Sequence, residues 1–255
     1  MPDISTLMAL FLAGIAAGVS NAIAGGGTFF TFPVFLAAGI PPVIANASNA
    51  IAVWPGHAMA AIGFRKELVK IREQLWMTLF LALLGGLFGA YLLSIISNSW
   101  FTKLIPFLIL FATLLFAYGE TVASFIKSNI TINSSTNPYL KRIAEFAFAS
   151  YGGFFGAGYG IMLMAWLQIS SNHDLQTTNA LKNLIATIVS SVAVIVFIFS
   201  GIISWWHTGA AFGGAIIGGL IGTKVIRVIS AQWLSRTVIT FGLLLSIYYL
   251  LKYYG

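Results

Sequence analysis

The sequence predicts an all-α fold, a polytopic helical membrane protein made of two inverted repeats with glycine-broken short or re-entrant helices in each half. Three observations lead to this prediction. Hydrophobic residues make up 59% of the 255 residues and charged residues only 7%, whereas a soluble domain carries about 25% charged residues. Seven apolar stretches have the length of about 20 residues that a helix needs to cross the hydrocarbon core. A pattern of glycines and asparagines also occurs once in each half of the chain.

The predicted transmembrane spans follow the apolar stretches in chain order. They cover residues 5–24, 43–63, 74–97, 100–119, 175–200, 204–226 and 232–251. The longest polar stretch runs from Glu120 to Arg142 and separates two groups of spans. We therefore divide one integral membrane domain into a first transmembrane repeat at 1–120, a polar cytoplasmic connector at 121–141 and a second transmembrane repeat at 142–255.

Two copies of one pattern lie in the two repeats: a glycine break, a short apolar run and an asparagine-bearing helix. In the first copy AGGGT precedes FFTFPVFL and ANASNA, and in the second AGYG precedes IMLMAWLQI and TNALKN. Gly27 and Gly160 lie 133 positions apart, and so do Asn46 and Asn179. An apolar chain that repeats its few polar groups in this way is typical of transporters whose site lies where two halves meet.

The distribution of basic residues predicts the orientation in the membrane. Basic residues concentrate near 65–72, 127–142 and 224–236, whereas the turns near 97–99 and 201–204 carry no charge. Under the positive-inside rule the basic loops are cytoplasmic and both termini lie outside. The asparagine-bearing helices of the two halves then run in opposite directions, as inverted repeats require. We expect a multi-pass location in the plasma (inner) membrane.

Each glycine break predicts a cavity at membrane depth. Freed backbone groups cost several kcal/mol in lipid unless protein or a water-filled cavity satisfies them. The helices that restart at Thr28 and after Gly160 direct N-terminal N–H groups into that cavity, where those groups favour an anion. Each following run is only about ten residues, so a re-entrant hairpin and two short tilted crossings both stay open. Other glycines are typical of close helix packing: Gly85, Gly86, Gly89, Gly213, Gly214, Gly218, Gly219 and Gly222.

Asparagines and one lysine supply the polar side chains of the predicted site. Asn46 and Asn49 share one helix face, and the spacing of Asn179, Lys182 and Asn183 also defines one face. The amides either hold the broken helices in place or contact the ligand, and the two roles are compatible. Lys182 either supplies the one full positive charge at the cavity or extends its side chain to the inner surface.

The candidate site follows from these two copies. The predicted substrate-binding residues are Gly26, Gly27, Thr28, Asn46, Asn49, Gly158, Gly160, Asn179, Lys182 and Asn183. His57 is the only histidine in mid-span and is a candidate for coupling, the alternative being a hydrogen-bonded helix contact. Because the carboxylates lie near span ends or in loops, we expect coupling to the membrane potential or a counter-ion.

Several function classes are excluded or disfavoured. The chain has no cysteine, which excludes disulfides and thiolate metal sites, and its three histidines are scattered, so we predict no metal and no cofactor. Catalytic motifs and a phosphate-binding P-loop are absent from the sequence. The net charge of +7 does not indicate nucleic acid, because the basic residues lie in short loops. The expected partners are a small anionic substrate and the lipid bilayer, with a homo-oligomer left open.

The two copies resemble the TauE/SafE family, the sulfite exporter-like membrane transporters of the 4-toluene sulfonate uptake permease type. The likeness covers essentially the whole chain. It rests on GxxxxxAGGGT at Gly18–Thr28, GIPP at 39–42, ANASNAIAVWPG at Ala45–Gly56, GFFGAGYG at Gly153–Gly160 and TNALKN at Thr178–Asn183. The chain departs from the family pattern at Ala50, where many relatives carry an arginine, and at Tyr159, where a glycine is common.

The resemblance implies a secondary transporter of small anions: sulfite, organosulfonates or related organosulfur anions. We expect alternating access, in which one repeat rocks against the other. The alternative is an anion channel with the same site and no alternating gate, whose flux would not saturate at low concentration. An intramembrane enzyme is disfavoured because it lacks a catalytic set. A non-transporting membrane subunit is disfavoured because it leaves the duplicated polar groups unexplained.

Overall fold

The computed structural model describes residues 2–23, 26–71, 75–129, 138–171, 173–225 and 231–255. The described chain forms eleven α-helices: α1 (Ile4–Ile23), α2 (Thr28–Ala37), α3 (Pro42–Gly63), α4 (Arg65–Val69), α5 (Trp76–Ile95), α6 (Asn98–Asn129), α7 (Pro138–Phe154), α8 (Tyr159–Ser170), α9 (Leu175–Phe199), α10 (Trp205–Val225) and α11 (Ala231–Tyr254). Expectations that fall on 24–25, 72–74, 130–137 and 226–230, which belong to the first glycine break and three basic loops, lie outside the described residues.

The all-α prediction is confirmed, and the described residues contain no strand. The seven predicted spans coincide with α1, α3, α5, α6, α9, α10 and α11. Five helical stretches are long and apolar enough to cross a membrane: Ile4–Asn21, Trp76–Ile95, Asn98–Gly119, Leu175–Phe199 and Ser235–Tyr254. The short apolar helices α2 and α8 follow the two glycine breaks, so each break opens a helix of half the usual spanning length.

The polar connector is more helical than its composition suggests. α6 continues beyond the apolar stretch to Asn129, and α7 begins at Pro138, ahead of the predicted second repeat. A proline at the start of a helix fits because its missing N–H would have no partner there. Apolar sequence predicts only the part of a helix that lipid covers. The helical hydrogen bonds of α6 and α7 continue beyond that part into both ends of the connector.

The helices of the two halves are interleaved. α1 makes its most extensive contacts with α10, and α7 makes its most extensive contacts with α5. We call α1, α2, α3 and α10 the first bundle, and α7, α8, α9 and α5 the second bundle. In the order of the repeat α1–α3 correspond to α7–α9, and α5 corresponds to α10. Each bundle therefore takes three helices from one half and one from the other, a pattern compatible with inverted repeats.

The bundles meet through α3 and α9, and a pair formed by α6 and α11 packs beside them. Contacts of α6 with α8, and of α11 with α2, connect this pair to the short helix of each bundle. The two short helices are consequently enclosed by longer helices rather than placed on the surface.

Glycines allow the closest helix contacts. A Cβ added at Gly14 of α1 would overlap the carbonyl oxygen of Ala211 in α10, and one added at Gly89 of α5 would overlap that of Ser150 in α7. Such backbone approach is typical of small residues between membrane helices. The predicted packing role is confirmed for Gly85, Gly86, Gly89, Gly214 and Gly218, which all have tight neighbours. A Cβ at Gly213 has only an ordinary contact and one at Gly219 meets no described atom within 4 Å, although the backbone nitrogen of Gly219 packs closely on Gly18.

The two short helices lie in the core. Phe29, Phe32 and Phe35 of α2 are buried, and the ring of Phe32 meets that of Phe155 edge to face at 5.6 Å between centroids. Tyr159 of α8 is buried in a second apolar cluster between α5, α7 and α9. Burial of this apolar surface holds the two breaks, and the polar groups beside them, at fixed positions.

Candidate functional site

A cavity of about 40 Å³ lies between the two bundles, where the two glycine breaks face each other. Its polar and glycine lining consists of Asn21, Gly26, Gly27, Thr28, Asn46, Asn49, His57, Gly152, Gly153, Gly156, Gly158, Tyr159, Gly160 and Ser190. None of the described lining residues is a lysine, arginine, aspartate or glutamate. A charged ligand in the cavity would therefore contact backbone groups, amides, hydroxyls and one imidazole, and no charged side chain of the described lining.

The first break depends on a left-handed glycine. Gly26 has φ +83°, a conformation that other residues rarely adopt, and its carbonyl oxygen accepts from Phe29 N at 3.0 Å. The backbone N–H of Gly27 donates to Oδ1 of Asn21 at 2.8 Å. The end of α1 thus orients the start of α2 at Thr28, which lines the cavity.

Asn49 connects α3 to the first turn of α2. Its Nδ2 donates to Oγ1 of Thr28 at 3.2 Å, and its Oδ1 accepts from the hydroxyl of Thr31. Thr31 also donates to the carbonyl oxygen of Gly27 at 3.2 Å. All three side chains are buried. These bonds hold the broken helix in place, which is one of the two roles that the sequence left open for this amide.

The second break is built differently. Gly158 precedes α8 with φ +71°, and the hydroxyl of Tyr151 donates to the carbonyl oxygen of Ala157 at 2.6 Å. The expectation that the helix restarts after Gly160 is wrong. α8 begins at Tyr159, because the left-handed residue that ends the break is Gly158. Gly160 consequently lies in the first turn of α8 and still lines the cavity.

Asn46 bridges the two bundles. Its Nδ2, on α3, donates to the carbonyl oxygen of Phe154 at the end of α7, at 2.8 Å. Its Oδ1 is buried and has no hydrogen-bond partner among the described residues. The hydroxyl of Tyr159, another lining residue, is buried and likewise lacks a partner in that part of the chain.

Of the polar residues on α9, Ser190 lines the cavity directly, whereas the predicted site residues Asn179, Lys182 and Asn183 do not. His57 lines the cavity, its side chain is within hydrogen-bonding reach of Asn183, and it interacts electrostatically with Lys182. Nδ2 of Asn183 also donates to the carbonyl oxygen of Asn179 at 3.0 Å. Asn179, Lys182 and Asn183 are not part of the described lining, so they form a second layer behind the imidazole.

α9 starts at a side-chain cap outside its apolar span. Oδ1 of Asp174 accepts from the backbone N–H of Thr177 at 2.8 Å, and Oδ2 accepts from the Thr177 hydroxyl at 3.0 Å. These two bonds, the backbone one first, hold the pKa of the Asp174 carboxyl below its ordinary value. The cap fixes where the helix that carries Lys182 begins.

Sequence comparison decides the family. The sequence profile described as sulfite exporter TauE/SafE matches residues 10–249, nearly the whole chain. The chain belongs to the TauE/SafE family. It is thus a membrane transporter rather than an enzyme, as the resemblance implied.

Similar proteins from bacteria carry corresponding names. The chain is 28% identical over 228 residues to a probable membrane transporter protein of Haemophilus influenzae, covering 88% of this chain and 86% of that protein. It is 27% identical to the probable membrane transporter protein ORF9 of Sinorhizobium sp, over 93% and 90% of the two chains. It is 24% identical to the probable membrane transporter protein YfcA of Escherichia coli K12, over 85% and 79%. No solved structure matches this TauE/SafE chain.

Sequence reasoning missed two polar lining residues of this TauE/SafE protein. Asn21 carries no repeat signal, although an asparagine four residues before a glycine break in an apolar helix could have drawn attention to it. Ser190 lies on α9 in a run of small and apolar residues, and its position shows only once α9 is packed against α3. The sequence marks Tyr159 only as a departure from a common glycine, whereas its buried hydroxyl becomes visible only in the structure.

Proposed function

We propose that this protein is a secondary transporter that moves small anions across the plasma (inner) membrane by alternating access. The observation that carries the proposal is the cavity between the bundles, lined by the start of a broken helix from each half. Broken helices that meet between repeats are the usual substrate site of transporters built from two halves. Membership of the TauE/SafE family supports the same function class.

The proposed ligand is an anion because two helix N-termini face the cavity. Each N-terminus carries the equivalent of about half a positive charge, worth up to about 2 kcal/mol for an anion in a partly buried site. Two of them supply roughly 4 kcal/mol, or about a thousandfold in affinity. Lys182 adds a full charge behind His57 and attracts the same ligand over a longer distance.

The family description names sulfite, and we extend the proposed substrates to sulfite, organosulfonates and related organosulfur anions. Gly26, Gly27, Thr28, Gly158 and Gly160 would contact the anion through the first turns of α2 and α8. Asn46 and Asn49 would orient those turns. Asn179, Lys182 and Asn183 would act through His57, which remains the candidate for coupling.

The units that move are proposed to be the two bundles rather than the two sequence halves. Because α10 packs on α1 and α5 packs on α7, a rigid movement of one half against the other would break the closest helix contacts in the protein. Movement of one bundle against the other keeps those contacts and changes the α3–α9 interface, the cavity and the contacts of the α6–α11 pair with α8 and α2. The bonds of Asn46 to Phe154, and of Trp54 to Ser191 at 2.9 Å, cross that interface.

The test is counterflow in proteoliposomes. Vesicles loaded with unlabelled sulfite or a small organosulfonate receive labelled anion outside, and initial uptake is measured over a concentration series. A carrier gives saturable uptake that internal substrate accelerates. Gly63→Ala is a matched control, since a Cβ at Gly63 meets no described atom within 4 Å and the residue lies outside the cavity. Uptake that is linear in concentration and indifferent to internal anion would favour the channel. Uptake no greater than that of empty liposomes would refute anion transport.

A further inference from the structure

Two residues that line the cavity each have a buried polar atom without a hydrogen-bond partner among the described residues. Asn46 is 2% exposed and Tyr159 is 4% exposed, and within the described residues neither Oδ1 of Asn46 nor the Tyr159 hydroxyl has a hydrogen bond. Buried polar groups are nearly always paired, and an unpaired one is costly. Both residues line the same cavity, one from each bundle. An occupant of the cavity is the natural partner for both atoms.

The unpaired atom of Asn46 is an acceptor. Oxygen and nitrogen of an amide are assigned from their hydrogen bonds, and here the assignment is determined by the neighbour. The Asn46 nitrogen lies 2.8 Å from the carbonyl oxygen of Phe154, so a reversed amide would place two acceptors against each other. The occupant must therefore present a donor to Asn46.

The hydroxyl of Tyr159 is available as a donor. Its ring lies against Gly152, where an added Cβ would come within 2.9 Å of the ring carbon that bears the hydroxyl. Gly152 also lines the cavity. Because Gly152 has no side chain, the phenol ring of Tyr159 can pack against it at the cavity wall. A neutral phenol donates well to an anionic oxygen, and such a charge-assisted bond is stronger than one between neutral groups.

The cavity thus combines one buried donor, one buried acceptor and the starts of two helices. We propose that Tyr159 and Asn46 select a small oxyanion that carries a hydrogen. Tyr159 donates to one oxygen of the ligand, the ligand's own O–H donates to Oδ1 of Asn46, and the helix starts hold the negative charge. Hydrogensulfite has this chemistry. The sulfite dianion and organosulfonates lack the hydrogen.

The volume supports the same choice. A water molecule takes about 30 Å³ of liquid, and a cavity needs roughly 10–15 Å³ to hold one. The 40 Å³ cavity has room for a small anion of a few atoms and is less suited to one with a bulky organic group. Water can bridge the two atoms in the absence of substrate, but a ligand that displaces it must reproduce both bonds. This selectivity rests on the proposed transport function and narrows its substrate class.

The experiment compares two anions at two pH values in counterflow. Sulfite converts from dianion to hydrogensulfite as the pH is lowered through neutrality, whereas methanesulfonate keeps one charge and has no acidic hydrogen. For the wild type we expect the apparent KM for total sulfite to fall at the lower pH, with methanesulfonate a poor substrate at both. His57 from α3 and Lys182 from α9 also titrate near the cavity. If the lower pH changed the apparent KM of both anions equally, the change would come from the titration of His57 or Lys182, and the proposal would be overturned.

Tyr159→Phe tests the donor because it removes the hydroxyl and keeps the ring on Gly152. Loss of one charge-assisted bond raises the apparent KM for hydrogensulfite about tenfold or more, with little change for methanesulfonate. Tyr249→Phe is the control, since Tyr249 of α11 is similarly buried and lies outside the cavity. A wild-type KM in Tyr159→Phe would overturn the assignment of the hydroxyl.

Thermal stabilisation of the purified protein by each anion gives a readout that does not depend on transport, because a ligand that binds the folded state raises the melting temperature. If sulfite raises the melting temperature of the wild type at low pH but not that of Tyr159→Phe, the result supports the proposed roles of Tyr159 and Asn46. Saturable transport of methanesulfonate with the same apparent KM as hydrogensulfite would support the transport function and refute the selectivity. Absence of both flux and stabilisation for every anion would remove the transport function and the selectivity together.

Discussion

Two glycines of the second break, two positions apart, allow stability to be separated from transport. Gly158 has φ +71°, and an alanine in the left-handed region costs roughly 1–2 kcal/mol. Its Cβ would also lie 3.3 Å from the carbonyl oxygen of Ala112, so the neighbour must shift slightly. Gly160 has no positive φ, and a Cβ there meets no described atom within 4 Å. The first substitution strains the backbone, and the second does not.

For Gly158→Ala we expect a lower melting temperature. A change of 1 kcal/mol corresponds to roughly 2–4 °C in a domain of 150–250 residues, so the expected fall is about 2–8 °C. For Gly160→Ala we expect no fall, because alanine is the better helix former. Its methyl group enters open space at a residue that lines the 40 Å³ cavity, so uptake should fall in a protein that is fully folded.

The assays are thermal unfolding in detergent, followed by the loss of monodisperse protein, and counterflow uptake of sulfite at equal reconstituted protein. Wild-type uptake by Gly160→Ala, with an unchanged apparent KM, would refute the assignment of the cavity as the substrate site. A Gly158→Ala protein as stable as the wild type would refute the requirement for a left-handed residue before α8. The two results are independent, so one assignment can fail while the other stands.

Three further predictions concern the fold and its charge. Gly89→Ala should prevent folding or expression, because its Cβ overlaps the carbonyl oxygen of Ser150, and Gly63→Ala made in parallel should fold as the wild type. Asp174→Ala should lower the melting temperature at neutral pH. Folding depresses the pKa of this carboxyl, so its contribution to stability is present above the unfolded pKa and is lost as the pH falls through the folded pKa. The melting temperatures of wild type and variant should therefore converge in acid. A difference that stays constant with pH would contradict the capping role of Asp174. Lys182→Ala should raise the apparent KM for sulfite and weaken its salt dependence, whereas Lys182→Arg should keep both; unchanged kinetics in Lys182→Ala would return the lysine to a surface role.

The elements of this fold follow from local sequence properties. Apolarity and length place α1, α5, α6, α9 and α11, because a helix that crosses lipid must be apolar over its whole covered length. The glycine clusters place the two breaks because only glycine adopts the left-handed backbone there cheaply. Asn46, Asn49 and His57 lie on α3, the helix after the short α2, and reach the cavity because α3 packs on α2.

The arrangement of those elements needed the structure. The i, i+3, i+4 spacing of Asn179, Lys182 and Asn183 shows that they share a face, but spacing gives no information on what the face meets. In the structure it meets His57 rather than the cavity itself. Likewise, nothing local to Gly14 indicates that its partner is Ala211. The two-residue difference at the start of α8 arises because Gly156 and Gly158 take a positive φ and Gly160 does not.

The contact between α1 and α10 has a consequence for synthesis of the chain. Gly14 and Ala211 are separated by about 200 residues, which at 5–20 residues per second takes roughly 10–40 s to translate. During that time the face of α1 that carries Gly14 has no α10 to pack against, and it can contact other helices with small residues. The α5–α7 contact, through Gly89 and Ser150, closes far sooner. The N-terminal helix is therefore the part of the nascent chain most exposed to wrong partners and most in need of a membrane chaperone.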